Sequence, residues 1–99
     1  MTQVLSVRLS DEAVVEARHA FAWYRERNPQ AAGAFLKELD QAVESIANSP
    51  AAWPLYMEGT RRRLLRRFPF SLVYRVRTDH VEVIAVAHQR RRPGYWMER

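Results

Sequence analysis

Ninety-nine residues carrying 16 basic and 11 acidic side chains, a formal net charge of +5, make one domain, 1–99, with room for a single core but not for a deep substrate cavity beside it. The absence of cysteine removes disulfide and thiol chemistry, and three scattered histidines leave a metal or other cofactor unsupported. No apolar run approaches the ~20 residues of a membrane span and the N-terminus lacks a signal-peptide pattern, so the expected compartment is the cytoplasm, with no membrane partner.

The chain opens on a short strand. In Gln3 to Leu9, Val7 and Leu9 alternate with polar neighbours. Ser10 is a good helix N-cap, and Asp11 and Glu12 place negative charge in the first turn that follows. Apolar residues at Val14, Ala17, Phe21 and Tyr24 then mark one helical stripe. Asn28-Pro29 ends this helix and starts a second, with Asn28 as cap and Pro29 in the first helical position. The second helix carries Ala32, Phe35, Leu39, Val43 and Ile46 on one face, with Lys37, Glu38, Gln41 and Glu44 away from it, and stops near Asn48-Ser49-Pro50. Ala51 to Gly59 reads as a loop pinned by Trp53-Pro54-Leu55-Tyr56. Trp23 joins Phe21, Tyr24 and Phe35 in the expected helix packing, and His19 and His80 read as surface residues.

Three strands follow. The first spans about Arg61 to Arg67 and turns at Phe68-Pro69, since proline cannot donate to a ladder. In the second, Phe70, Leu72, Tyr74 and Val76 alternate with Ser71, Val73, Arg75 and Arg77. After a turn at Thr78-Asp79, Val81, Val83, Ala85 and Ala87 alternate with Glu82, Ile84, Val86 and His88. The expected fold is α+β, in the order β-α-α-β-β-β, with a helix hairpin on one face of a small, mainly antiparallel sheet. The helices belong on the face of Phe70, Leu72, Tyr74, Val81 and Val83. The other face is expected to be open, with Ser71, Arg75, Arg77, Glu82 and His88 around an apolar patch of Val73, Ile84 and Val86.

The charge is unevenly distributed. Residues 60–99 hold 11 Arg against three acids, whereas residues 1–59 hold five basic residues against eight acids. A basic face of this kind fits a polyanion or an acidic protein. The candidate binding residues are Arg61, Arg63, Arg66, Arg67, Arg77, Arg90, Arg91 and Arg92. Successive arginines on a strand point to both faces, so only part of the Arg61-Arg62-Arg63 run serves one surface.

The block Arg67-Phe68-Pro69-Phe70-Ser71-Leu72-Val73-Tyr74, then Asp79 to His88, then Arg91-Arg92-Pro93-Gly94-Tyr95-Trp96, resembles the RelE/ParE superfamily of bacterial toxins from type II toxin–antitoxin (plasmid stabilisation) modules. About the last 35 residues carry the resemblance closely, and the rest matches in length and element order. The resemblance implies a growth-inhibiting toxin held by a cognate antitoxin, whose acidic, amphipathic C-terminal segment folds on it in a hetero-oligomer. It implies one of two targets. ParE-like members bind DNA gyrase without cleavage chemistry, and RelE-like members are ribosome-dependent mRNA endoribonucleases. A generic nucleic-acid-binding domain is the third reading.

Metal-free RNA cleavage needs a group to activate the 2′-hydroxyl, a proton donor for the leaving oxygen, and cations for the phosphorane charge. The resemblance supplies His88 and Tyr95 as catalytic candidates, with Arg90 or Arg91 on the phosphate, and Arg75, on the same strand face as Ser71, is the candidate substitute for the arginine that family mRNases carry at that position. Ser71 stands where family mRNases commonly place an arginine, and His88-Gln89 where another basic residue is usual, which tilts the reading toward gyrase. Each candidate also has an ordinary role: Arg75 pairing with Glu82 across the hairpin, His88 as a hydrogen-bonded strand end, and Tyr95 and Trp96 as anchors packed back on the sheet. An antitoxin segment would pair its carboxylates with the arginines and lay its apolar side on Val73, Ile84 and Val86.

Overall fold

The computed structural model describes residues 4–99. Its elements are β1 (Ser6–Leu9), α1 (Asp11–Arg27), α2 (Pro29–Asn48), a 3₁₀ turn at Met57–Gly59, β2 (Arg61–Leu64), β3 (Phe70–Val76), β4 (His80–His88) and a C-terminal 3₁₀ turn at Tyr95–Glu98. The four strands form one sheet in the order β1-β4-β3-β2, with β1 parallel to β4 and the other pairs antiparallel. The expected order and layering hold. Two edges are shorter than read from the sequence. The first strand begins at Ser6, with Gln3 outside the described residues, and β2 ends at Leu64 rather than Arg67.

Local chemistry explains the boundaries. The Ser10 hydroxyl accepts from Ala13 N at 3.1 Å and donates to the Ile84 carbonyl at 3.0 Å, so one side chain caps α1 and ties it to β4. The Asn28 side chain accepts from Gln30 N and Ala31 N, and Pro29 occupies the first turn of α2, where its missing N–H costs nothing.

The helices cover the sheet face bearing Phe70, Leu72, Tyr74, Val81 and Val83, all buried with Phe35, Leu39 and Ile46. Tyr24, Phe35, Phe68 and Phe70 interlock with ring centroids 5.1–6.5 Å apart. Each such ring adds roughly 1.5–3 kcal/mol by burial alone. Trp23 departs from its expected place. It is about half exposed, with the Arg27 guanidinium 3.9 Å from its ring. Leu55 is not an anchor either, at 71% exposed, whereas Trp53 and Tyr56 are half-buried against the body.

Glu38 corrects the reading of α2. It is buried, and its carboxylate accepts from the backbone N–H groups of Arg66 and Arg67. A charged side chain four residues from Ala34 and Ala42 lies on the rim of the apolar stripe. Here it closes the turn after β2 instead of facing solvent.

A single bulge rearranges β4. Val73 opposes Ala85 and Tyr74 opposes Val83, so Ile84 is the extra residue. Beyond it the side-chain alternation flips. Val86 therefore packs in the helix-side core, and His88 lies opposite Phe70 with the rings 5.0 Å apart, edge to face. Neither residue is on the face the alternation predicts.

That second face is not open. Trp96, 2% exposed, packs on Val73, Ile84, Ala85 and Ala87, with Tyr56, Met57 and Tyr95 around it. The apolar patch expected at Val73, Ile84 and Val86 is thus buried by the chain's own C-terminal turn and by the bulge. Gly94 makes the turn possible. Its φ is 81°, and a Cβ there would meet Met97 Cε at 2.9 Å and Met57 Cε at 3.2 Å.

Candidate functional site

The site grows out of a mismatch in strand length. β1 pairs with only the first part of β4, from His80 to Val83. Beyond Leu9 the β4 edge needs other partners. α1 supplies one: Glu16 Oε1 accepts from Val86 N at 3.0 Å. The other oxygen of Glu16 accepts from the Tyr95 hydroxyl at 2.5 Å, and Arg99 closes on both oxygens at 2.9–3.0 Å. One carboxylate thereby joins α1, β4 and the C-terminal turn.

Burial alone would raise the Glu16 pKa, but the hydrogen bonds from Arg99, Tyr95 and Val86 outweigh it and hold the carboxyl below its ordinary value. Burial, and then donation to Glu16, pushes the Tyr95 hydroxyl far above the usual tyrosine value. The hydrogen bond to Glu16 raises Arg99.

Two grooves flank this junction, one on each side of Tyr95. The first, about 400 Å³, runs between α1 and the end of β4, with Ala20, Trp23, Tyr24, Phe70 and Val86 as its apolar wall and His19, His88 and Arg91 on its rim. The second, about 350 Å³, lies on the far face of the sheet. Ser71, Val73, Ala87 and Trp96 meet Arg62, Arg91 and Arg92 there, with His88 and Gln89 at one end.

Only two of the three sequence-derived catalytic residues come together. His88 and Tyr95 line both grooves. Arg75 stands apart, its guanidinium donating to the Glu58 carbonyl at 3.3 Å, where Glu58 adopts a left-handed φ of 54°. Arg75 does oppose Glu82 in register, but the ion pair forms from Arg77 to Glu82 at 2.9 Å. The Tyr95 hydroxyl is held by Glu16, and His88 Nδ1 accepts from Arg90 N at 3.0 Å.

The arginines also separate. Arg61 donates to the Trp53 carbonyl at 2.6 Å and Arg63 to the Ser45 hydroxyl at 2.9 Å, both on the helix side. Arg63, Arg66 and Arg67 surround Glu38 and Gln41, with Arg67 Nε 3.8 Å from the carboxylate. Arg62, between Arg61 and Arg63, points the other way, because it pairs with Val73 while they pair with Tyr74 and Leu72. Sequence reading passed over Arg62, although strand alternation separates it from its neighbours. It also passed over Glu16 and Arg99, which no local pattern links across 83 residues.

Among the described residues no group of three or more His, Cys, Asp or Glu could hold a metal ion, and no helix is long and apolar enough to cross a membrane. No curated protein matches this chain. A solved structure described as "Chromosomal ParDE TA system from P. aeruginosa" is similar in fold. Its TM-score is 0.76 at 19% identity, with 88% of this chain and 98% of that chain covered. The family model "ParE toxin of type II toxin-antitoxin system, parDE" matches residues 7–93. A match over nearly the whole chain, on two helices packed against a four-stranded mixed sheet, makes this protein a member of the ParE toxin family of type II toxin–antitoxin systems.

Proposed function

We propose that this toxin inhibits growth by binding DNA gyrase, not by cutting RNA, and that a cognate antitoxin neutralises it. The observation that carries the mechanism is that each candidate catalytic group is already engaged by the fold. Arg75 is tied to Glu58, the Tyr95 hydroxyl has its pKa raised by burial and then by donation to the Glu16 carboxylate, and His88 is packed on Phe70. A general acid must release its proton near neutral pH, and a tyrosine held this way is poorly suited to do so. Ser71 adds no charge for a phosphorane.

The antitoxin reading needs a different surface from the patch read in the sequence. The groove under α1 supports it. An apolar wall, half-exposed Trp23 and a rim of His19, His88 and Arg91 suit an acidic amphipathic segment. The cytoplasm fits these partners.

Induced expression in bacteria separates the two mechanisms. Primer extension on cellular mRNA and plasmid supercoiling are read from the same culture. Intact transcripts with altered supercoiling are expected. Cuts within translated codons would replace the gyrase reading with ribosome-dependent cleavage and return His88 and Tyr95 to a catalytic role.

A further inference from the structure

We infer that the recess between α2, the end of β2 and the turn that follows binds the diphosphate group of a small molecule. This site is independent of gyrase binding and shares no lining residue with either groove beside Tyr95.

Strand alternation creates the recess. Arg63 points to the helix side of β2, whereas Arg62 and Leu64 point to the far face. The turn after Leu64 then brings Arg66 and Arg67 to the same corner as Arg63. Glu38 and Gln41 of α2 complete the lining of a concavity of about 470 Å³.

One carboxylate stands among the three guanidiniums, but it is already engaged. Glu38 accepts from the backbone N–H groups of Arg66 and Arg67, and Arg67 Nε lies 3.8 Å from it. Arg67 and Glu38 thus offset one another, which leaves two positive charges on the lining, at Arg63 and Arg66. Neither is paired with a carboxylate among the described residues. Two unpaired cations facing one concavity favour an anion that carries more than one charge.

The donors are also held in place. Arg63 Nε donates to the Ser45 hydroxyl at 2.9 Å and its Nη1 to the Leu64 carbonyl at 3.2 Å, and its guanidinium sits 5.1 Å from the Trp53 ring centroid. Those contacts fix the plane of the fork and leave Nη2 for a ligand. The turn that carries Arg66 and Arg67 is pinned by Glu38 at one end. At the other, the Phe68 ring lies 5.1 Å from Tyr24 and 5.4 Å from Phe35. Little freedom remains to be lost on binding.

The chemistry selects the class of ligand. The guanidiniums of β2 and of the turn and the amide of Gln41 come from three different elements and approach from different directions. Tetrahedral phosphate oxygens accept from many directions, whereas a carboxylate prefers donors near its own plane. Two linked phosphates match two separated cations. An acidic amphipathic peptide needs an apolar shelf beside its cations, and no apolar side chain lines this recess. No aromatic ring lines it either, so the bases of a nucleic-acid strand would find no platform.

The test is calorimetric titration of the full-length chain with sodium pyrophosphate, in magnesium-free buffer at constant ionic strength. Saturation at a single site is expected. Arg63→Gln/Arg66→Gln should bind about tenfold more weakly or worse, because each change removes a charge-assisted donor. Arg62→Gln/Arg92→Gln removes the same charge from the far face and should change affinity less than about threefold, since salt screens distant charges. Arg66→Gln alone alters one exposed side chain and should weaken binding about fivefold. It keeps the site testable if loss of the Arg63 tie to Ser45 unfolds the double variant. Far-UV circular dichroism confirms folding in each case. ADP separates the two sources of the group: tighter binding than pyrophosphate assigns a nucleotide, and equal binding assigns the diphosphate alone. Both sustain the site. Equal loss from the two double variants would overturn it in favour of diffuse attraction, and so would a wild-type titration that never saturates. Inorganic phosphate binding as tightly as pyrophosphate would overturn the second phosphate, and citrate binding as tightly would overturn phosphate altogether. Displacement of pyrophosphate by a short single-stranded oligonucleotide at a lower concentration of phosphate groups would overturn the small molecule.

Discussion

The two faces of the sheet are covered in different ways. One lies under 37 residues of regular helix in α1 and α2. The other lies under a four-residue turn whose single buried side chain is Trp96. The helical cover is stitched by repetition, with apolar residues every three or four positions and a caps-and-proline boundary. The C-terminal cover is stitched by one aromatic plug, one left-handed glycine and one carboxylate reaching over from α1. A long amphipathic helix can lose a contact and keep its place, but a one-residue plug has no redundancy. The comparison therefore predicts that one substitution in the short C-terminal turn costs as much as one at the centre of the helical core.

The largest effect is that of Trp96→Ala, expected to cost about 3–5 kcal/mol in chemical denaturation, as is Phe35→Ala on the helical side. Similar losses would mean that the turn is an integral part of the core. A loss below about 1 kcal/mol for Trp96→Ala would make the turn a loosely held cover, and the two faces would then differ in kind. Trp23→Ala, at a half-exposed position, serves as the reference and should cost under about 1 kcal/mol.

Glu38→Ala comes next. It leaves the Arg66 and Arg67 N–H groups without their acceptor, at about 1–3 kcal/mol. Urea unfolding measures it, and a change under about 0.5 kcal/mol would mean that water replaces the carboxylate and the turn needs no internal cap.

The elements on the helical side were legible in the sequence because their signals are short-range. Ser10, Asn28-Pro29 and the 3.6-residue stripes each declare themselves within a few positions. Phe70, Leu72 and Tyr74 stand two apart, with Ser71 and Arg75 among the residues between and after them, and were assigned to the correct face. β4 was not fully legible. Its Val83-Ile84-Ala85-Val86-Ala87 run is apolar throughout, so one extra residue leaves no mark on the pattern. That slip carried Val86 and His88 to the wrong face. The burial of Val73 and Ile84 depended on where Trp96 lands, which a Pro93-Gly94 turn allows but does not specify. Of the candidate site, the arginine-rich segments were visible, but their division into engaged and free guanidiniums depends on partners such as Ser45, Glu38 and Glu58 that are remote in sequence.

Glu16→Gln sharpens the comparison through pH. The folded-state pKa of Glu16 is lowered, so its contribution to stability is fully present above the ordinary value of 4.5 and is lost as pH falls through the folded value. Wild type should therefore exceed the glutamine variant in stability at pH 6–7, by about 1–2 kcal/mol for charge-assisted hydrogen bonds. The gap should narrow steadily from pH 5 to pH 3 in urea titrations. A gap independent of pH would assign the role of Glu16 to shape alone and remove the electrostatic tie between α1 and the C-terminal turn.

The smallest effect lies far from both covers, at the β3–β4 hairpin. Arg77 and Glu82 are 2.9 Å apart, but their side chains are 46% and 34% exposed, so water and salt screen the pair. Arg77→Ala should cost no more than about 1 kcal/mol. A double-mutant cycle with Glu82→Ala isolates the coupling, expected at about 0.2–1 kcal/mol and falling at high salt. The same cycle on Arg75 should give a coupling near zero, because Arg75 opposes Glu82 in the ladder while its guanidinium donates to the Glu58 carbonyl. A larger coupling for Arg75 than for Arg77 would free the Glu58 contact and place Arg75 on the strand face. It would also reopen the question of whether its charge can reach the groove beside Ser71.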